Sequence, residues 1–383
     1  MTTPLVIIGT GLAGYGLARE LRKLDKTRPV TLITRDDGAS YSKPMLSTGF
    51  AKGTDADGLV MASAADMADQ LGVIVRTLTR VTGLDTGRRQ LTLDTGETLD
   101  WGTLVLASGA APIRLPVEAD APDHVFHINS LMDYRVFRQG LRPGGRVLIM
   151  GAGLIGSELA NDLLAGGFGV DVVVPCEAPL PGLVPVEAGR ALQEALEEAG
   201  AHFHLGDVVE RLTPRDDGVE AELGNGRVLA VDRVISAVGL RPDLTLARQA
   251  RLSVNRGIVV DAFLRTSAPD VYALGDCAEI DGQVRLFVQP LMMSARALAK
   301  TLNGQPTAVQ FGPMPVVVKT PACPVVTAPP PVGTTGQWVV TSQGPRSLVC
   351  RFEDEQGQLK GFALTGDAVA EKMALTRQLA AGG

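Results

Sequence analysis

Two six-residue stretches carry the residue types and spacing that can hold a phosphate diester. The first reads Gly9-Thr10-Gly11-Leu12-Ala13-Gly14 and the second Gly151-Ala152-Gly153-Leu154-Ile155-Gly156. In such a G-x-G-x-x-G turn the first glycine permits a tight bend. The second lets backbone approach a pyrophosphate, and the third lets the following helix pack on the strand. The N-terminus of that helix then offers free N–H groups and a partial positive charge to the phosphates. One such turn is weak evidence, but two built alike point to two dinucleotides, and a chain holding two dinucleotides commonly passes a hydride between them. The acid that usually holds a ribose after the next strand is displaced in both. Ile33-Thr34-Arg35-Asp36 puts Thr34 in its slot and Asp36 two residues late. In the second unit Val174 fills the slot and Glu177 follows three later. No Arg or Lys lies between 170 and 180 to meet a 2′-phosphate, which favours NADH over NADPH.

The elements that must position these turns repeat as well. An apolar strand at 4–8, a helix and a strand at 29–34 match a strand at 146–150, a helix and a strand at 170–174. Each unit closes with an apolar strand ending in glycine, at 104–109 and at 234–239. Near-continuous apolar runs fit strands buried on both faces of a parallel sheet. The fold class expected is α/β, with two Rossmann-like dinucleotide-binding domains, the second inserted in the first, plus a C-terminal α+β domain. The boundaries predicted are 1–113 with 243–312, then 114–242, then 313–383. Further expectations are a strand near 73–80, a helix over 287–302 with Pro290 in its first turn and Gly304 past its end, and a final helix at about 367–380.

Composition narrows the function. With 383 residues, 45% hydrophobic and 20% charged, the chain reads as globular. A net charge of −6 argues against nucleic acid as a partner. No apolar run reaches the roughly 18 residues of a membrane span, and the first strand begins at residue 4, so no membrane association and a cytoplasmic location are expected. The four cysteines show no CxxC or CxxxxC spacing. His202 and His204 lie on one strand face with no carboxylate or thiol cluster to join them, so no metal site is expected.

The two turns, the closing Ala107-Ser108-Gly109-Ala110 and Ser236-Ala237-Val238-Gly239 segments, and Tyr272-Ala273-Leu274-Gly275-Asp276-Cys277 together resemble the pyridine-nucleotide disulfide reductase superfamily over nearly the whole chain. Tyr41-Ser42-Lys43-Pro44-Met45-Leu46-Ser47 and Met314-Pro315-Val316-Val317-Val318-Lys319-Thr320-Pro321 resemble its rubredoxin reductases and their relatives serving flavorubredoxin. The resemblance implies FAD at the first turn, with Gly9, Thr10, Gly11, Leu12, Ala13, Gly14, Ile33 and Thr34 around it. It implies NADH at the second, with Gly151, Gly153, Ile155, Gly156 and Glu177. It also places Asp276 at the flavin's ribityl and pyrophosphate region, Val81 at the adenine, Val288 and Lys319 near the flavin ring, and Lys43 beside that ring with Glu158 as its paired acid. Lys43 and Glu158 would tune the flavin, and no side chain need act as a general acid or base.

The departures from the family pattern are informative. Disulfide reductases carry CxxxxC in the first module and a His–Glu pair near the C-terminus. Here residues 41–47 hold no cysteine and 313–383 no histidine, and Ser42 stands near where oxygen-reducing relatives keep a cysteine. Electrons must therefore leave the flavin directly. The expected acceptor is rubredoxin, a one-electron iron protein, with a ferredoxin or a flavorubredoxin of nitric oxide detoxification as alternatives. Without that histidine a reason to dimerise is lost, and a monomer is expected.

Overall fold

The computed structural model describes residues 4–381. By packing the described residues form two compact units, residues 4–43, 57–111 and 240–311, and residues 44–56, 112–239 and 312–381.

In the first unit the apolar run LVII becomes the strand Leu5–Ile8, the centre of a five-stranded sheet. Val30–Ile33 and then Ile74–Arg76 lie on one side, and Thr103–Leu106 and then Val271–Ala273 on the other. All pairings are parallel, with Ile8 beside both Ile33 and Leu106. Leu5, Ile7, Leu32, Leu104 and Val105 have no exposed surface, as strands covered on both faces require. The helix Leu12–Leu24 packs against the helix Val288–Leu302, where a Cβ on Gly16 would sit 3.8 Å from the Ala295 Cβ. The strand expected near 73–80 ends at Arg76, and a new antiparallel strand, Val81–Asp85, begins at Val81.

The second unit repeats the plan. Arg146–Met150 is central, with Gly169–Val174 and Ala201–Leu205 on one side and Arg233–Ser236 and Val125–Phe126 on the other, all parallel. Residues 316–365 add a five-stranded antiparallel sheet ordered Val316–Val318, Val325–Ala328, Leu359–Thr365, Ser347–Glu353, Gln337–Gly344. The final helix is shorter than expected. Gly366–Glu371 winds as a 3₁₀ helix, and the α-helix runs Lys372–Ala381.

Residues 44–56, expected from their position in the chain to belong to the first domain, pack in the second unit. Asp162 accepts hydrogen bonds from the Phe50 and Ala51 amides at 3.1 and 2.8 Å. The Phe50 ring meets Tyr134, Phe137 and Phe168 edge-on, and the Arg138 guanidinium lies 4.3 Å over it.

His204 has one carboxylate neighbour. Asp171, 1% exposed on the adjacent strand, accepts from His204 Nε2 at 2.9 Å and from Arg146 Nε at 2.5 Å. No cluster able to hold a metal ion occurs among the described residues. Burial pushes the Asp171 carboxyl up, but the bonds from Arg146 and His204 outweigh it and hold it below the ordinary range. Because the folded pKa is depressed, this contribution is whole above the unfolded value of about 3.9 and fades as pH falls through the folded one. Melting temperatures measured from pH 6 to pH 3 should therefore fall more steeply for the wild type than for Asp171→Asn.

Candidate functional site

The first cradle is defined by what a side chain would strike. Gly9 has φ +115°, and a Cβ there would fall 2.3 Å from the Ala107 carbonyl oxygen. A Cβ on Gly14 would fall 1.9 Å from the Gly9 oxygen, whereas one on Gly11 would meet nothing within 4 Å. Two glycines thus make the turn and the helix packing possible, and the third leaves an open face at the helix start. The helix Leu12–Leu24 has no side-chain cap and no acid in its first turn, so its N–H groups stay available for an anion. Gly275, at φ +78°, brings the 3₁₀ turn Gly275–Cys277 so near the helix that its own Cβ would lie 2.9 Å from the Ala13 Cβ. Asp276 is thereby set beside the first turn. Burial pushes its carboxyl up, and the Lys43 charge opposes that rise.

Around this cradle Thr34 is buried and donates to Asp36 Oδ1 at 2.7 Å. The same oxygen accepts from the Gly38 amide at 3.0 Å and from Thr10 Oγ1 at 3.4 Å. Ile33 is fully buried, and Val81 is buried in the core of this unit. Val288 opens the helix Val288–Leu302, whose N-terminus also lacks a side-chain cap and a first-turn acid, and stays 39% exposed.

The second cradle has the same construction. Gly151 has φ +100° and no room for a Cβ beside the Ala237 oxygen at 2.7 Å. Gly156 faces the Gly151 oxygen at 2.1 Å, and Gly153 faces open space. The helix Leu154–Ala165 again starts uncapped with no acid in its first turn. Ile155 is partly exposed at that start, and Glu177 is exposed beyond the buried Val174.

Glu158 is 3% exposed in this helix and is paired with Lys319, a partner the sequence reading did not name for it. Lys319 Nζ lies 2.5 Å from Glu158 Oε2, and the Lys319 amide donates to Oε1 at 2.9 Å. Ser47 Oγ donates to Oε2 at 2.7 Å, and Lys319 Nζ also reaches the Pro44 carbonyl at 2.6 Å. A buried carboxylate is costly unless paired and hydrogen-bonded, and this one is both. The same helix face carries Asn161, which accepts from the Ala322 amide at 3.1 Å, and Asp162, which holds residues 50 and 51. Ser47, Asn161 and Asp162 were not found from the sequence. Their signal was present in Glu158-Leu159-Ala160-Asn161-Asp162, three polar residues at i, i+3 and i+4 on one face of a largely apolar helix.

Both cradles fit a dinucleotide phosphate, since each pairs an open glycine with an uncapped helix start. Residues 3–301 match the pyridine nucleotide-disulphide oxidoreductase model, and residues 308–379 match the rubredoxin binding C-terminal domain. The chain belongs to the pyridine nucleotide-disulphide oxidoreductase family, whose reductases use FAD and NAD(H). It is 50% identical to a rubredoxin-NAD(+) reductase of Alcanivorax borkumensis, covering 99% of each chain. It is 38% identical to a nitric oxide reductase FlRd-NAD(+) reductase of Aliivibrio fischeri, again over 99% of each. Among solved structures, the ferredoxin reductase for the CYP199A2 system from Rhodopseudomonas palustris superposes with a TM-score of 0.86 at 27% identity, covering 97% of this chain and 93% of that one.

Proposed function

We propose that the chain takes hydride from NADH and delivers single electrons to rubredoxin. The observation that carries this reading is the duplicated cradle, two open glycines at two uncapped helix starts, followed by a segment matching a rubredoxin-binding domain. Gly9, Thr10, Gly11, Leu12, Ala13 and Gly14 would hold FAD through its pyrophosphate, with Asp276, Lys43, Ile33, Thr34, Val81 and Val288 around it. Gly151, Gly153, Ile155, Gly156 and Glu177 would hold NADH. Bound FAD supplies a centre that accepts two electrons as hydride and gives them up singly. The protein supplies position and field, and none of these residues is needed as a proton donor or acceptor. Assignment of Glu158 and Lys319 to the flavin rests on the resemblance of their motifs. We also propose that the protein is a cytoplasmic monomer. Among the described residues no helix is long and apolar enough to cross a membrane.

The relatives named for flavorubredoxin favour a second reading, in which the acceptor is that protein's rubredoxin-like centre. The experiment is anaerobic stopped-flow reduction by NADH, followed by mixing with rubredoxin, flavorubredoxin and a ferredoxin in turn. Fast reoxidation by rubredoxin supports the first reading. Reoxidation by rubredoxin no faster than by a ferredoxin overturns it.

Rubredoxins are expected to be acidic, and one meeting a chain of net charge −6 needs a local basic patch, for which Lys43, Lys319 and nearby arginines are candidates. Lys319 is paired with Glu158, which weakens its share of that patch. Electron transfer should slow as ionic strength rises past about 0.1 M, where the screening length is near 10 Å. A rate constant flat from low to high salt would remove the patch.

A further inference from the structure

Glu118 is a buried carboxylate with no part in the reading above. It sits in the 3₁₀ helix Pro116–Asp120 and is 5% exposed. Its Oε1 accepts from the Leu115 amide at 3.0 Å and from Ser236 Oγ at 2.8 Å. Its Oε2 lies 2.8 Å from His127 Nε2, and the His127 side chain is 8% exposed. A carboxylate acceptor places the ring proton on Nε2. The other ring nitrogen, Nδ1, is buried without a partner. The imidazole therefore serves to deliver one N–H to Glu118.

These three residues meet at the carboxyl end of the parallel sheet, the end where α/β sheets bind ligands. Ser236 ends the strand beside Met150, and Met150 leads into the Gly151 turn. The next residue, Ala237, donates to the Met150 carbonyl at 2.8 Å, and its own oxygen is the atom that excludes a side chain from Gly151. The backbone at 236–238 is thus the wall of the second cradle. On its far side that strand pairs with Val125–Phe126, a two-residue strand matched to Val234 and Ile235. That pairing stops at Ile235, one residue short of Ser236. Glu118 carries the tie one step further by joining Ser236 to His127, the residue that follows Phe126.

We propose that Glu118, His127 and Ser236 are positioning residues for the pyridine nucleotide, holding the wall of the Gly151 turn and thereby setting the affinity for NADH. The inference rests on the reading of that turn as the NADH site. Its test uses the FAD-loaded enzyme with NADH and ferricyanide as a one-electron acceptor. In His127→Leu the bond is lost while much of the ring's volume is kept. KM for NADH should rise about tenfold, or about 1.4 kcal/mol, with kcat and FAD content unchanged. In His127→Gln the amide N–H₂ reaches about as far as Nε2, and KM should return close to wild type. A purely structural strut would give equal KM values for Leu and Gln, or a lower melting temperature with KM unmoved, and either result overturns the inference. If His127→Leu does not fold, Ser236→Ala provides the same comparison, with a raised KM expected and an unchanged one overturning it. Failure of the wild-type enzyme to be reduced by NADH would instead overturn the reading of the site itself.

Discussion

A Gly14→Val protein is expected to leave purification without FAD, and a Gly156→Val protein to keep FAD yet resist reduction by NADH. Each added side chain begins at a Cβ that would stand 1.9 Å or 2.1 Å from a backbone oxygen of its own turn. Backbone cannot rotate away as a flexible side chain can, so the helix must lift or the turn must open. Overpacking costs about 1–3 kcal/mol where side chains can yield, and the upper figure alone is about a hundredfold in affinity. The middle glycines separate loss of fold from loss of ligand. Gly11 and Gly153 have φ of −64° and −71°, which alanine adopts freely, and open space where its methyl would go. Gly11→Ala and Gly153→Ala should melt like the wild type while binding FAD and NADH, respectively, more weakly. Flavin absorbance after gel filtration and the KM for NADH read the two losses independently. An unchanged affinity in both alanine variants would mean that neither open face receives a phosphate.

The second large effect is expected at Lys319. Removing its charge leaves Glu158 buried with one hydroxyl and one amide donor. Breaking a fully buried pair costs about 3–5 kcal/mol. Lys319 is 30% exposed, so water screens part of the interaction and about 2–3 kcal/mol is the reasonable expectation. For a unit of this size that lowers the melting temperature by about 5–10 °C. Adding Glu158→Gln to Lys319→Met should recover more than half of the loss, because the stranded charge is gone. Strict additivity in the double-mutant cycle would show that the two side chains do not act as a pair.

Features that depend on neighbouring residues are legible in the amino-acid order. The strand Arg146–Met150 and the start of Val288–Leu302 fall where apolar runs and Pro290 place them. In both turns the first and third glycines stand where a side chain would strike backbone, as their spacing implies. What the order hides depends on residues far apart in the chain. Glu158 reads as an acid in need of a cation, but nothing local says that the cation is 161 residues away. Residues 44–56 read as part of the first module because they follow it, while their aromatic and carboxylate partners come much later. The Asp171 partner of His204 reaches it across a strand pairing, 33 residues back along the chain. The 3₁₀ turn ahead of the last helix carries no marker that separates it from an α-helical start.

The holding of residues 44–56 has a consequence for biosynthesis. Phe50 waits for Asp162, 112 residues downstream, and Ser47 waits for Lys319, 272 residues downstream. At roughly 5–20 residues per second those partners leave the ribosome about 6–22 s and 14–54 s later. The nascent amino-terminal portion therefore carries Phe50 and Ser47 without these native partners until most of the polypeptide has been translated.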